Sequence, residues 1–85
     1  MSNWQYILLK PAERYLKRIQ PKQRQRIFQE LDRLLSDPTQ VDFKKLEGRT
    51  GYRLRVGSYR ILIEINREEY LFIITNIGSR GDIYK

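Results

Sequence analysis

The sequence predicts one α+β domain with the element order β-α-α-β-β-β, in which a two-helix hairpin packs on one face of a twisted antiparallel sheet. Three observations predict this fold. A chain of 85 residues can bury one hydrophobic core but not two. Apolar residues recur at helical spacing over residues 10–36, and three β-rich segments separated by turn residues follow residue 51. We therefore assign residues 1–85 to a single domain.

The N-terminal half predicts a strand followed by two helices. Residues 4–9 are rich in β-forming side chains and predict the first strand. Pro11, a residue favoured at the first position of a helix, opens a helix that Gln20-Pro21 interrupts. The second helix begins at Pro21 and ends near Ser36, because Asp37-Pro38 disfavours helical geometry. Both helices have one apolar face: Ala12, Tyr15, Leu16 and Ile19 in the first, and Ile27, Phe28, Leu31, Leu34 and Leu35 in the second.

The C-terminal half predicts a loop and then a β-meander. Residues 37–51 contain Pro38 and two glycines and are expected to form a loop, which contacts the core through Val41, Phe43 and Leu46. The three strands are expected over residues 52–56, 59–66 and 70–77. Between the first two of them, Gly57 stands at the position where a type II′ hairpin turn requires a positive φ.

The residue types that are missing exclude several classes of chemistry. The chain has no cysteine and no histidine, which rules out disulfides, thiol nucleophiles and every mechanism that uses an imidazole. Any catalysis must therefore rest on carboxylates, tyrosine, lysine and arginine. We predict no cofactor and no metal. No signal peptide or membrane-spanning segment is recognisable, so we expect a cytoplasmic protein without a membrane partner.

The charge of the chain points to a polyanionic partner. The formal net charge is +7, and eleven of the 17 basic residues are arginine. Two stretches carry this charge, residues 10–33 and residues 44–60. Basic residues on the solvent face of an amphipathic helix are ordinary, and this is the simpler interpretation of the first stretch. As candidate RNA- or ribosome-binding residues we select Lys44, Lys45, Arg49, Arg24 and Arg26.

Strand geometry concentrates three arginines on the face of the sheet that the helices leave open. With Gly57-Ser58 as the turn, Arg55 lies directly opposite Arg60, and Arg53 shares their face because side chains alternate along a strand. Like charges opposite each other destabilise a sheet, so the cluster predicts a site for a bound anion. The alternative is a set of solvated arginines. The same face also receives four less polar residues, Leu62, Leu71, Ile73 and Thr75.

The segment after Gly78 adds two more candidates. It is expected to return close to the end of the sheet and to bring Arg80 and Tyr84 to the same place as the arginine cluster. Either residue alone would be unremarkable, since a terminal aromatic residue often only covers the edge of a core. Together with the cluster they predict a site at one end of the open face.

Several segments resemble the RelE family of bacterial and archaeal toxins. They are Lys45-Leu46-Glu47-Gly48, Tyr52-Arg53-Leu54-Arg55-Val56, Gly57-Ser58-Tyr59-Arg60 and Ile77-Gly78-Ser79-Arg80-Gly81-Asp82-Ile83-Tyr84. The resemblance spans essentially the whole chain, because the predicted element order is also that of the RelE/ParE superfamily. Its most specific part is the Tyr-Arg strand and Arg60 in combination with the Gly-x-Arg…Tyr segment at the end.

The resemblance implies the toxin of a type II toxin–antitoxin system. Such a toxin is a ribosome-dependent endoribonuclease that cuts mRNA in the A site of the 70S ribosome through attack of a ribose 2′-OH, and so inhibits translation. The family's functional positions fall on Arg53, Arg55, Arg60, Arg80 and Tyr84. The arginines would stabilise negative charge and orient the RNA, and Tyr84 would orient the 2′-OH, accept its proton or stack on a base.

The resemblance also implies partners. A RelB-like acidic antitoxin is expected to neutralise the toxin, and operator DNA is expected to bind only through the antitoxin complex. Two other functions stay open at this point. One is a ParE-like toxin of the same fold that inhibits DNA gyrase, and the other is a non-catalytic basic module that binds nucleic acid or a protein.

Overall fold

The structure, a computed structural model, describes residues 3–79. Its elements in chain order are β1 (Gln5–Leu8), α1 (Lys10–Arg18), α2 (Pro21–Ser36), a short 3₁₀ helix (Pro38–Gln40), β2 (Asp42–Lys45), β3 (Tyr52–Val56), β4 (Tyr59–Asn66) and β5 (Leu71–Ser79). The five strands form one sheet in the order β1-β5-β4-β3-β2. The predicted class, two helices on one face of a sheet, is confirmed, as are the limits of both helices to within a residue.

The sheet differs from the predicted one in two respects. It is mixed rather than antiparallel, because β1 runs parallel to β5, with Ile7 beside Ile73. It also has a fifth strand, β2, within the segment 37–51 that we expected to be a loop. The first difference arises because the helices carry the chain away between β1 and the rest of the sheet, so no local turn dictates the direction of β1. The second arises because β2 is a short edge strand stabilised by its pairing with β3.

The core lies between the helices and one face of the sheet. The helices contribute Ala12, Leu16, Ile27, Leu31 and Leu34, and the sheet contributes Leu54, Val56, Ile61, Ile63, Phe72, Ile74 and Ile77, all with at most 4% of their surface exposed. The predicted anchors Val41 and Phe43 pack against this core. The helices cover only this face, and the opposite face of the sheet stays open. Within residues 3–79, neither helix has the length and apolar character needed to cross a membrane.

The turn between β3 and β4 fixes the register of the hairpin. Gly57 has a φ of +58° and Ser58 does not have a positive φ, as the predicted type II′ turn requires. A Cβ atom at position 57 would also lie 3.0 Å from Nη1 of Arg26, whose guanidinium group lies over the turn. Glycine is therefore favoured here by its backbone conformation, and a larger residue would also displace the flexible guanidinium group of Arg26.

Arg24 holds the corner between the two helices. Its Nε donates to the carbonyl oxygen of Leu16 at 2.7 Å, and its Nη2 donates to the carbonyl oxygen of Ile19 at 3.1 Å. Carbonyl groups at the C-terminal end of a helix lack partners within the helix, so a cation that binds them stabilises the helix end.

We predict that Arg24→Ala lowers the free energy of unfolding by about 1–2 kcal/mol, since two charge-assisted hydrogen bonds in a half-buried site are lost. Urea unfolding followed by circular dichroism measures the change. Lys22→Ala is the matched control, because Lys22 is exposed on the same helix, and its removal should shift the unfolding free energy by less than about 0.5 kcal/mol. Equal effects of the two substitutions would contradict the role of Arg24.

Candidate functional site

The open face of the sheet arranges its basic side chains in two rows. The strand registers place Asp42, Arg55 and Arg60 side by side in one row. Lys44 and Arg53 stand in a neighbouring row on the same face. The predicted pairing of Arg55 with Arg60 is therefore confirmed, as is the presence of Arg53 on their face. We call Arg53, Arg55 and Arg60 the arginine cluster.

An acidic residue that the sequence analysis missed lies at the edge of the arginine cluster. Oδ1 of Asp42 accepts a hydrogen bond from Nη1 of Arg53 at 3.3 Å, and Oδ2 lies 3.9 Å from Nη1 of Arg55. Asp42 was missed because its segment was interpreted as a loop. The alternation of apolar and polar residues in Val41-Asp42-Phe43-Lys44 is a strand signal that would have placed Asp42 on the open face.

The three arginines differ in exposure and in charge compensation. The side chain of Arg53 is 18% exposed and that of Arg55 is 44% exposed. Arg60 is half-buried, and within the described part of the chain no carboxylate lies within 4.0 Å of it. Among residues 3–79, Asp42 is thus the one carboxylate that forms ion pairs with the arginine cluster, and Lys44 adds a further cation on the same face.

Leu62 lies beside the arginine cluster on the open face, as predicted. Leu62 stands next to Arg53 on the sheet and is 8% exposed, and its carbonyl oxygen accepts a hydrogen bond from Oγ1 of Thr75 at 3.3 Å. A pocket of about 140 Å³ opens here, lined among others by Leu46, Arg49, Leu62, Glu64 and Thr75. A larger cavity of about 330 Å³ lies on α2, between Lys22, Arg26 and three glutamines, and its walls include no member of the arginine cluster.

The other predicted binding residues fall into two groups. Lys44 stands beside Arg53 on the open face, and Arg49 lines the pocket next to it. Lys45 pairs with Tyr52, so its side chain points to the opposite side of the strand. Arg24 holds the helix corner and Arg26 covers the Gly57 turn, so neither belongs to the open face.

Arg80 and Tyr84, the two remaining candidates, lie outside the described residues. The last described part of β5 pairs with the beginning of β4, with Gly78 opposite Arg60 and Ser79 opposite Tyr59. The described chain therefore ends beside the arginine cluster.

Two ionisable groups outside the arginine cluster have shifted pKa values. Burial, and then the nearby Asp32 carboxylate, raise the pKa of Tyr6. Hydrogen bonds from the hydroxyl and the backbone N–H of Thr39 lower the pKa of Asp37 below its ordinary value of 3.8. Because the pKa of Asp37 is lower in the folded state, its ionised form stabilises the fold above that ordinary value. This contribution is lost as the pH falls through the folded pKa.

Comparisons with known proteins identify the fold. Residues 6–84 match the model of the family described as ParE toxin of type II toxin-antitoxin system, parDE. No curated protein is significantly similar to the chain.

Among solved structures, a chain of the archaeal RelE-RelB complex from Pyrococcus horikoshii OT3 is 25% identical with a TM-score of 0.78, and the match covers 93% of this chain and 97% of that one. A chain of the RelB-RelE antitoxin-toxin complex from Methanococcus jannaschii is 28% identical with a TM-score of 0.73, and covers 93% and 95%. The isolated E. coli RelE toxin, 19% identical with a TM-score of 0.70 over 95% and 90% of the chains, shares the fold.

These similarities define the protein class as a small toxin of the RelE/ParE superfamily, which confirms the resemblance noted in the sequence. The chain belongs to the family of ParE toxins of type II toxin–antitoxin systems. The family match is to ParE, whereas the three solved structures described above contain RelE toxins. RelE and ParE toxins belong to one superfamily, so the family match and the structural matches give the same class of protein.

The directly opposite positions of Arg55 and Arg60 are expected to lower the free energy of unfolding. We expect Arg60→Thr to raise the free energy of unfolding by about 0.2–1 kcal/mol, because it removes one of two like charges that face each other across the strands. Lys45→Thr is the control, since it brings the same gain in strand propensity without relieving an arginine pair. The difference in unfolding free energy between the two variants should decrease at high salt, because salt screens the repulsion between the arginines. A less stable Arg60→Thr protein would contradict the expected repulsion.

Proposed function

We propose that the protein is a ribosome-dependent endoribonuclease, which cuts mRNA in the A site of the 70S ribosome and thereby stops translation. The observation that supports this activity is the arginine cluster, with Arg55 directly opposite Arg60 and Arg53 on the same face. The fold gains no stability from this pairing, so a bound anion is the simplest reason for it. A phosphodiester is the anion that the resemblance to RelE implies.

The proposed reaction is an attack of a ribose 2′-OH on the adjacent phosphate. The bond between the 2′ oxygen and phosphorus forms, the bond from phosphorus to the 5′ oxygen breaks, and a 2′,3′-cyclic phosphate remains. The 2′-OH gives up its proton and the leaving 5′ oxygen takes one up. The pentacoordinate transition state gains negative charge, which fixed guanidinium groups stabilise. We assign this role to Arg53, Arg55 and Arg60, because arginine stays protonated and is a poor base.

Arg80 and Tyr84 complete the proposed site. Arg80 directly follows Ser79, the last residue of β5, in the sequence, and its place in the site is proposed from the resemblance to RelE. We assign Arg80 to charge stabilisation. Tyr84 is proposed to orient the 2′-OH, to accept its proton, or to stack on a base.

The surroundings of the arginine cluster suit a single strand of RNA. Lys44 and Arg49 are proposed to contact neighbouring phosphates, while the pocket beside Leu62 is proposed to receive a base. Lys45 and Arg26, on other sides of the molecule, are proposed to contact ribosomal RNA instead. We assign Arg24 to the fold, because its guanidinium group is already bound to two carbonyl groups.

The proposed regulator is an acidic RelB-like antitoxin. Two of the similar structures are toxin–antitoxin complexes, and the net charge of +7 favours an acidic partner. A largely disordered antitoxin that folds on binding would cover the basic surfaces and block entry to the A site. Operator DNA is proposed to bind only through this complex.

A second candidate activity is inhibition of DNA gyrase, and the match to the ParE family favours it. It accounts for the fold and for the basic hairpin. It gives no reason for the convergence of Arg53, Arg55 and Arg60 on one face, next to the end of β5. We therefore rank it second.

The test is to add the purified protein to a reconstituted translation system and to map mRNA 5′ ends on stalled ribosomes. We predict cuts within the A-site codon that Arg60→Ala and Arg80→Ala each slow by about 10²–10³-fold, as expected for the loss of one transition-state donor. Lys22→Ala, which removes an exposed charge from α2, is the control for unspecific loss of ribosome binding and should retain most of the rate.

Intact mRNA in the presence of the wild-type protein would overturn the nuclease proposal. A gyrase supercoiling assay then distinguishes the remaining functions. Inhibition of gyrase would establish the second candidate. If gyrase is unaffected and any polyanion competes for binding, the protein is a non-catalytic basic module.

A further inference from the structure

The fold already supplies an anion to the arginine cluster. The two carboxylate oxygens of Asp42 face different guanidinium groups, Oδ1 that of Arg53 at 3.3 Å and Oδ2 that of Arg55 at 3.9 Å. Two non-bridging oxygens of a phosphodiester would contact two arginines in the same way. Asp42 thus occupies the kind of position that the proposed function gives to a phosphate of the RNA.

The contacts of Asp42 are weak enough to be exchanged. Its side chain is 40% exposed, on the edge strand β2, and the distance to Arg55 is beyond that of a hydrogen bond. Exposed ion pairs of this kind contribute little to stability. A polyanion that brings several phosphates to the open face can therefore replace the carboxylate without unfolding any part of the sheet.

Other acidic side chains near the open face do not share this arrangement. Glu64 lines the pocket beside Leu62, and Glu47 lies in the turn after β2. Neither forms an ion pair with a basic side chain of residues 3–79. Asp42 is distinguished from them by register, since it stands directly opposite Arg55.

We propose that Asp42 is a resident counter-ion, which holds Arg53 and Arg55 in the free protein and is displaced by a phosphate when RNA binds. This inference rests on the proposed function. Its consequence is selectivity. A free polyanion must compete with Asp42 for Arg53 and Arg55 and therefore binds weakly. RNA held in place by the ribosome makes additional contacts, and their free energy offsets the displacement of Asp42. Asp42 therefore acts against unproductive binding of other nucleic acids.

The experiment measures binding of an uncleavable single-stranded RNA, a 2′-O-methyl oligouridylate of about 10 nucleotides, at several salt concentrations. For single strands each phosphate contact adds about 0.7 to the slope of log K against log salt. We expect Asp42→Asn to steepen this slope by about 0.7–1.4 and to raise the affinity near physiological salt roughly tenfold. Asp42→Ser should behave in the same way, which guards against an effect peculiar to asparagine.

Two controls separate displacement from a general change in charge. Glu47→Gln removes the same unit charge from the neighbouring turn and should leave the slope unchanged. The gain from Asp42→Asn should also disappear when Arg53 and Arg55 are both replaced by glutamine, because no vacated guanidinium group is then available. A gain that persists in that background, or an equal gain from Glu47→Gln, would overturn the proposal.

This assay contains no ribosome and no cleavable bond, so it does not depend on catalysis. Equal salt slopes for the wild-type and Asp42→Asn proteins would refute the counter-ion role even if the wild-type protein cuts mRNA. A steeper slope for Asp42→Asn, together with intact mRNA on ribosomes, would leave the counter-ion role standing and remove the nuclease.

Discussion

The architecture of the site depends on the register of a single hairpin. Gly57, with its φ of +58°, closes the two-residue turn that sets Arg55 directly opposite Arg60. A shift of one residue would move these side chains to the core face and expose Leu54 and Val56 to water, so the buried face of the sheet enforces the same register. The packing that stabilises the fold is thus also what keeps these two arginines at directly opposite positions of the hairpin.

Asp42 compensates part of the positive charge that this register concentrates. Asp42 reaches the cluster from the edge strand, contacts Arg53 and Arg55, and leaves Arg60 without a carboxylate neighbour among residues 3–79. Among the described residues, the open face therefore combines two arginines that contact a carboxylate with one that does not, and the nearly buried Leu62 lies close by. This arrangement of charge is the basis on which we propose that the open face binds a phosphate of RNA.

Local signals explain which parts of the structure could be predicted from the sequence. Pro11, Pro21 and the Gly57 turn mark the ends of elements, so both helices and the meander were predicted with nearly correct limits. The arginine cluster followed from the position of the turn and from the alternation of side chains along the strands. The parallel pairing of β1 could not be predicted, because it joins segments distant in sequence. The strand β2 was missed since four residues at a sheet edge carry a weak pattern, and with it Asp42, the acidic residue among residues 3–79 that contacts the cluster.

The most direct test of the account is the chemical origin of the cut. Ribosomes are programmed with an mRNA that carries a single 2′-deoxynucleotide immediately before the cleaved phosphate, and the products are compared with those from the all-ribose message. We predict that the all-ribose message is cut, leaving a 2′,3′-cyclic phosphate, and that the deoxy message stays intact. Equal cleavage of both messages, or of neither, would contradict attack by the 2′-OH within an arginine-lined site.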